Sequence, residues 1–102
     1  METAERVEAI KIRLKMLKDL VANLNQTIKH EKANGYLLGS VKNTLSSVEA
    51  ELLPWTLKAS TPSNASMFLA MAEFELGEAE TRLNYAHHMV TTYGADIQAI
   101  GG

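Results

Sequence analysis

The sequence predicts an all-α protein, an up-down-up three-helix bundle with coiled-coil-like packing. Apolar residues recur at alternating spacings of three and four along three segments, and no segment alternates with the period of two that half-buried strands show. The 102 residues, 46% of them hydrophobic and none of them cysteine, suit one domain with one core. Because short connections between long helices favour antiparallel neighbours, the first and third helices should run parallel.

The first helix is expected over about residues 4–33. Thr3 is suited to the N-cap position, and Asn34 and Gly35 tolerate the left-handed conformation that often ends a helix. Its apolar seam consists of Val7, Ile10, Leu14, Leu17, Val21, Leu24 and Ile28. One continuous face of this helix should therefore be buried.

The second helix is expected over about residues 36–58, with Trp55 as a core anchor at the end of its seam. The other seam residues are Leu38, Val41, Leu45, Val48 and Leu52. Pro54 lacks a backbone N–H, so it either kinks this helix or ends it, and the sequence leaves that alternative open.

The third helix is expected over residues 62–93, started by Thr61 and Pro62 and closed by Tyr93 and Gly94. Alanine occupies alternate seam positions, so this helix should approach its neighbours closely at the centre of the fold. The seam is Leu69, Ala72, Leu76, Ala79, Leu83, Ala86, Val90 and Tyr93. Residues 1–94 then form one helical domain, and residues 95–102 form a flexible tail.

Charged residues beside the seams predict which helices pair. The flanks of the first helix are basic, and those of the third helix are acidic, so the two should lie side by side. The basic residues are Arg6, Lys11, Arg13 and Lys18, and the acidic residues are Glu73, Glu75, Glu78 and Glu80.

A second apolar set lies off the seams and has two interpretations. It widens the buried stripe of a helix that touches two neighbours, or it forms a surface for self-association, which we favour because these positions point away from the bundle. The predicted oligomer interface is Ile12, Met16, Met67, Met71 and Phe74, and Tyr85 lies at a similar position.

Residues whose side chains could bind a ligand or a metal ion lie near one end of the predicted bundle. They are His30, Tyr36, Tyr85, His87, His88 and Tyr93. The simplest interpretation is a solvated helix end. The second interpretation is a pocket for a small anionic ring compound such as a nucleotide. A metal site fits least, because adjacent helical histidines diverge by about 100°. The chain has no phosphate-binding or nucleophile motif, so we predict neither catalysis nor a cofactor.

Charge and hydropathy exclude further partners. A net charge of −2 argues against binding a nucleic acid polymer. The basic face of Lys11, Lys15 and Lys18 is interrupted by acidic residues, so membrane binding is not expected. With no apolar run long enough to be a span or leader, the chain is expected to be cytoplasmic. The leading hypothesis is a non-enzymatic homo-oligomer that binds a protein partner, and the alternative is a small-ligand binder.

Overall fold

The computed structural model describes residues 3–28 and 31–93 of the chain, with the side chains of residues 31 and 32 excepted. The helices of this part are α1 (Thr3–Thr27), α2 (Glu31–Ser47), α3 (Leu53–Lys58) and α4 (Pro62–Tyr93). A π-helical turn, Val48–Leu52, joins α2 to α3 without a break, so the three segments form one rod, called here the second rod. The predicted all-α three-helix arrangement is confirmed.

Polar contacts between the rods fix their directions. Arg6 meets Glu73 and Arg13 meets Glu80, and both pairs are separated by 67 residues, so α1 and α4 run parallel and in register. Lys18 meets Glu49, whereas Asn25, one heptad later on α1, meets Lys42, one heptad earlier on the second rod. The second rod is therefore antiparallel to α1, as the up-down-up topology requires.

The chain is elongated, with extents of 50 × 20 × 16 Å. Its radius of gyration of 15.6 Å exceeds the roughly 13 Å expected for a compact domain of this length. Because one helix with its side chains is about 10 Å across, the two short dimensions accommodate only two helices each. Every rod therefore keeps an outer face at the surface.

The core lies along the common axis of the three rods. Leu69, Leu76, Ala72 and Ala79 of α4 are completely buried, and apolar residues of α1 and the second rod pack around them. All four residues belong to the apolar seam that the sequence predicts for this helix. Most of the stabilisation comes from this burial of apolar surface.

The first connection lies earlier than expected. The first helix ends at Thr27 instead of continuing to residue 33, and α2 begins at Glu31 and passes through Asn34 and Gly35. Asn34 Nδ2 donates to Asn25 Oδ1 at 2.6 Å, and Lys42 Nζ donates to the same oxygen at 2.8 Å and to Asn34 Oδ1 at 3.0 Å. Because its side chain is satisfied by these partners, Asn34 does not form a local turn. The predicted tail, 95–102, lies outside the described residues.

The π-helical turn changes which residues of the second rod face the core. Leu53 N–H donates to Val48 O, five residues back, so the turn holds one residue more than an α-helical turn would. The seam advances by one position, and Thr56, only 4% exposed, faces the core in place of Trp55, which is 46% exposed. The expectation that Trp55 anchors the core is wrong for this reason. The rod does not end at Pro54, because the irregular turn immediately before it carries the helix onward.

Candidate functional site

The predicted ion pairs between α1 and α4 form on one flank of α1. Arg6 Nη2 and Nε donate to the two oxygens of Glu73 at 2.6 and 3.3 Å, and Arg13 Nη2 donates to Glu80 at 3.1 Å. The hydrogen bond that Arg6 donates to Glu73 raises the pKa of Arg6, because the carboxylate stabilises the charged guanidinium. These bonds fix α1 against α4 and leave the outer faces of both helices free to contact other molecules.

The other basic residues of α1 do not face α4. Lys18 Nζ donates to Glu49 of the π-helical turn at 2.7 Å, and Lys11 Nζ lies 3.8 Å from Glu8 of its own helix. Lys11 and Lys18 are seven residues apart, so they share the flank of α1 opposite to Arg6 and Arg13. The two basic flanks were predicted correctly, but both were expected to face α4, whereas the flank of Lys11 and Lys18 does not.

Three apolar side chains form an exposed stripe on α4, called here the α4 patch. Met67, Met71 and Phe74 follow one another at spacings of four and three, so they share one helix face, and they are 50%, 44% and 65% exposed. The interpretation that these residues widen the buried stripe is therefore wrong. Phe68, beside the patch, lies against Trp55 of α3 with ring centroids 5.7 Å apart. This contact extends the apolar surface from α4 onto the second rod.

The two predicted interface residues of α1 are also exposed, but they form a separate patch. Ile12 and Met16 are four residues apart on the outer face of α1, and Leu20, which the sequence analysis did not single out, continues that face. The register between α1 and α4 places Ile12 level with Ala79, more than one helical turn beyond Phe74. The predicted interface is thus divided between two rods.

A groove that sequence reasoning missed runs between α1 and the second rod, and it is called here the lysine groove. It has a volume of about 560 Å³. Leu57, which is 70% exposed, stands at its edge. Its lining consists of Lys11, Leu14, Lys15, Lys18, Asp19, Glu49, Leu53, Pro54 and Leu57. The position of Leu57 depends on the π-helical turn, and Pro54 is the only sequence signal that hints at such a turn.

The charges of the lysine groove are mainly positive and only loosely neutralised. The Lys18–Glu49 ion pair crosses the groove, whereas the Lys11–Glu8 and Lys15–Asp19 pairs, at 3.8 and 3.5 Å, lie along α1. Exposed pairs of this length bind weakly, so Lys11 and Lys15 are free to exchange their partners for a carboxylate of another molecule. The groove therefore combines an apolar floor with a basic edge.

The predicted ligand residues lie in different places. Tyr36 and Tyr85 share a shallow groove of about 380 Å³, called here the tyrosine groove, whose wall also contains Arg82. Its other lining residues are Leu37, Ser40 and Thr81. Aromatic rings and a guanidinium at one surface suit a flat anionic molecule. The structure thus brings two of the six predicted residues together.

His87, His88 and Tyr93 do not line the tyrosine groove. His87 and His88 are exposed, and they point about 100° apart on α4. His88 Nδ1 lies 3.5 Å from the hydroxyl of Thr92, one turn later. Tyr93 is the last residue of α4, two turns beyond Tyr85, and His30 lies outside the described residues.

The described part of the chain gives no sign of a metal centre or a membrane span. Within residues 3–28 and 31–93, no three side chains of His, Asp or Glu are placed to hold one ion. None of the helices in the same ranges combines the length and the apolar character needed to cross a bilayer. Comparison with protein-family models, curated proteins and solved structures finds no match to this chain.

Proposed function

We propose that this protein is a non-enzymatic interaction protein that assembles with copies of itself and binds a protein partner. The exposed α4 patch is the observation that carries this proposal. Methionine and phenylalanine side chains that follow one helix face are typical of protein contact surfaces, because methionine adapts its shape and phenylalanine contributes a large apolar area. The same helix already buries a complete seam in the core, so the bundle does not need the patch for its own stability.

The apolar area of the α4 patch limits how strongly it can bind another protein by itself. Full burial of one such side chain is worth about 1.5–3 kcal/mol, so three that are about half exposed offer roughly 2–5 kcal/mol. Association of two proteins costs about 4–15 kcal/mol in lost freedom of motion. One patch against a flat surface is therefore insufficient, and a stable assembly needs a complementary surface with further contacts.

The test is the mass of the protein in solution, measured by light scattering across a range of concentrations. The wild-type protein should form oligomers, and Met71→Glu with Phe74→Glu should shift it toward the monomer without loss of helicity. Ile12→Glu with Met16→Glu tests the α1 patch in the same way. Thr81→Glu with Asn84→Glu is the matched control, because both residues are exposed on α4 and lie outside the patch. A wild-type protein that stays monomeric at high micromolar concentration would overturn self-association.

A second candidate function is the binding of a small anionic ring compound in the tyrosine groove. The observation that favours it is the presence of Tyr36, Tyr85 and Arg82 in the lining of one groove. A nucleotide at a hundred times its dissociation constant should stabilise the protein by about 2.7 kcal/mol, which a thermal-shift assay detects. Tyr85→Ala should abolish the shift and Tyr93→Ala should preserve it. Unchanged melting curves across a panel of nucleotides would remove this candidate.

A further inference from the structure

The lysine groove and the α4 patch have complementary properties, although they belong to different faces of the molecule. The groove lies between α1 and the second rod, whereas the patch lies on α4. The groove is apolar at Leu53 and Leu57 and basic along its α1 edge. From this pairing we infer that the lysine groove of one copy receives the α4 patch of a second copy, so that the chain assembles head to tail. The inference rests on the proposed self-association and names its surfaces.

Charge identifies α4 as the occupant of the groove. The α4 patch is followed by Glu75 and Glu78, and residues 62–81 contain four glutamates and no Lys, Arg or His. Within the described ranges, the ion pair that Glu78 forms is with Arg82, at 4.0 Å on the same helix. When the patch lies in the groove, these carboxylates face Lys11 and Lys15 of the neighbouring copy. Such complementarity adds the contacts that the apolar patch lacks on its own, and it selects one partner surface over others.

The competing pairs of surfaces lack this match. Two α4 patches packed on each other bring no basic residue opposite Glu75 and Glu78, because residues 62–81 have none. The α1 patch of Ile12 and Met16 has residues of both signs beside it, including Lys15 of the groove, so it offers no set of carboxylates to a basic groove. Among the exposed apolar faces of the described helices, the α4 patch is the one whose flanks suit the lysine groove.

The lengths of the two surfaces also agree. Lys11 and Lys18 mark seven residues of α1 along the groove, and Met67 and Phe74 mark seven residues of α4 along the patch. At about 1.5 Å per residue both extend over roughly 10 Å. A straight helix face of that length lies along the groove without bending.

A contact between two different surfaces has a consequence for assembly. Each copy that uses its patch keeps its groove free, and each copy that uses its groove keeps its patch free, so growth continues until a ring closes or a filament forms. A symmetric dimer, in contrast, uses the same surface on both copies and stops at two. A symmetric contact between two α4 patches would not use the groove, so the response of assembly to changes in the groove alone distinguishes the two modes.

The experiment uses two charge-reversed variants of the full chain. Lys11→Glu with Lys15→Glu disables the groove, and Glu75→Lys with Glu78→Lys disables the patch. Each variant alone should assemble at least roughly tenfold more weakly than the wild type, because like charges then face each other. A one-to-one mixture of the two should assemble again with the two variants alternating, since the intact groove meets the intact patch and the acidic groove meets the basic patch. The chain that carries all four changes should assemble again.

Controls separate this inference from the proposed function. Asn23→Glu with Gln26→Glu makes the same helix more acidic outside the lysine groove and should leave the assembly unchanged. A wild-type protein that assembles although both charge reversals have no effect would overturn the head-to-tail contact and leave self-association standing. A mixture that assembles no better than either variant alone would overturn it too. A monomeric wild-type protein would contradict both proposals. Circular dichroism of each variant establishes that loss of assembly is not loss of fold.

Discussion

The alanines of α4 make the close packing of the bundle testable by one substitution, Ala79→Leu. Ala79 is completely buried among the leucines of the core, so a leucine there adds three carbon atoms where no space exists. Overpacking of a well-filled core costs about 1–3 kcal/mol. Unfolding entropy of about 2.1 cal/mol/K per residue gives roughly 0.2 kcal/mol/K for 102 residues, so Tm should fall by about 5–15 °C.

The matched control is Ala70→Leu, the same exchange at an exposed position of the same helix. Alanine and leucine have similar helix propensities, so this control should change stability by less than about 0.5 kcal/mol. Thermal and urea unfolding, followed by circular dichroism under conditions where all three proteins are monomeric, measure the difference. If Ala79→Leu were as stable as Ala70→Leu, α4 would not be the tightly packed centre of the fold.

Three further predictions concern the core, the surface and the second rod. Leu76→Ala should cost about 2–5 kcal/mol in urea unfolding, because Leu76 is completely buried, and a cost below 1 kcal/mol would contradict its central position. A double-mutant cycle of Arg13→Ala and Glu80→Ala should give a coupling free energy of about 0.2–1 kcal/mol between the two side chains. This coupling should decline in high salt, because both side chains are exposed. A coupling that salt does not change would argue for a buried pair. Acrylamide should quench the fluorescence of Trp55, the single tryptophan, and strong protection from quenching would place its ring in the core.

The fold was predictable because periodicity and charge agree along α1 and α4. The residues predicted at the seam of α4 from Leu69 to Ala86 are all buried, and the pairs Arg6–Glu73 and Arg13–Glu80 form as expected. Both signals depend on the regular geometry of a long helix. The positions of α1 and α4 follow from that geometry alone.

The parts that the sequence did not predict depend on contacts between rods. Asn34 is a common turn residue, and only its bonds to Asn25 and Lys42 explain why it lies inside α2. The lysine groove also depends on how the rods pack together. The outward direction of Met67 could be read from spacing, whereas the lysine groove needs the position of Leu57, which no local pattern specifies.

The apolar spacing of three and four does not continue through the π-helical turn, because the turn holds one extra residue. Deletion of one residue tests this explanation. In an uninterrupted α-helix the ring of Pro54 would collide with the carbonyl group four residues earlier, so Pro54→Ala serves as the background. Deletion of exposed Ala50 in that background removes the extra residue, and Val48 and Leu53 then stand four apart on one face.

This deletion should leave Leu53 and Thr56 in the core and cost less than about 1 kcal/mol, a Tm change within roughly 5 °C. Deletion of exposed Ala70 from regular α4 is the control, since it rotates one half of the helix against the other by about 100° and removes several side chains from the core. At about 2–5 kcal/mol for each large side chain removed from the core, that protein should not fold stably. Equal losses from the two deletions, measured by urea unfolding, would show that the second rod holds no extra residue and that Trp55 and Leu57 lie outside the core for another reason.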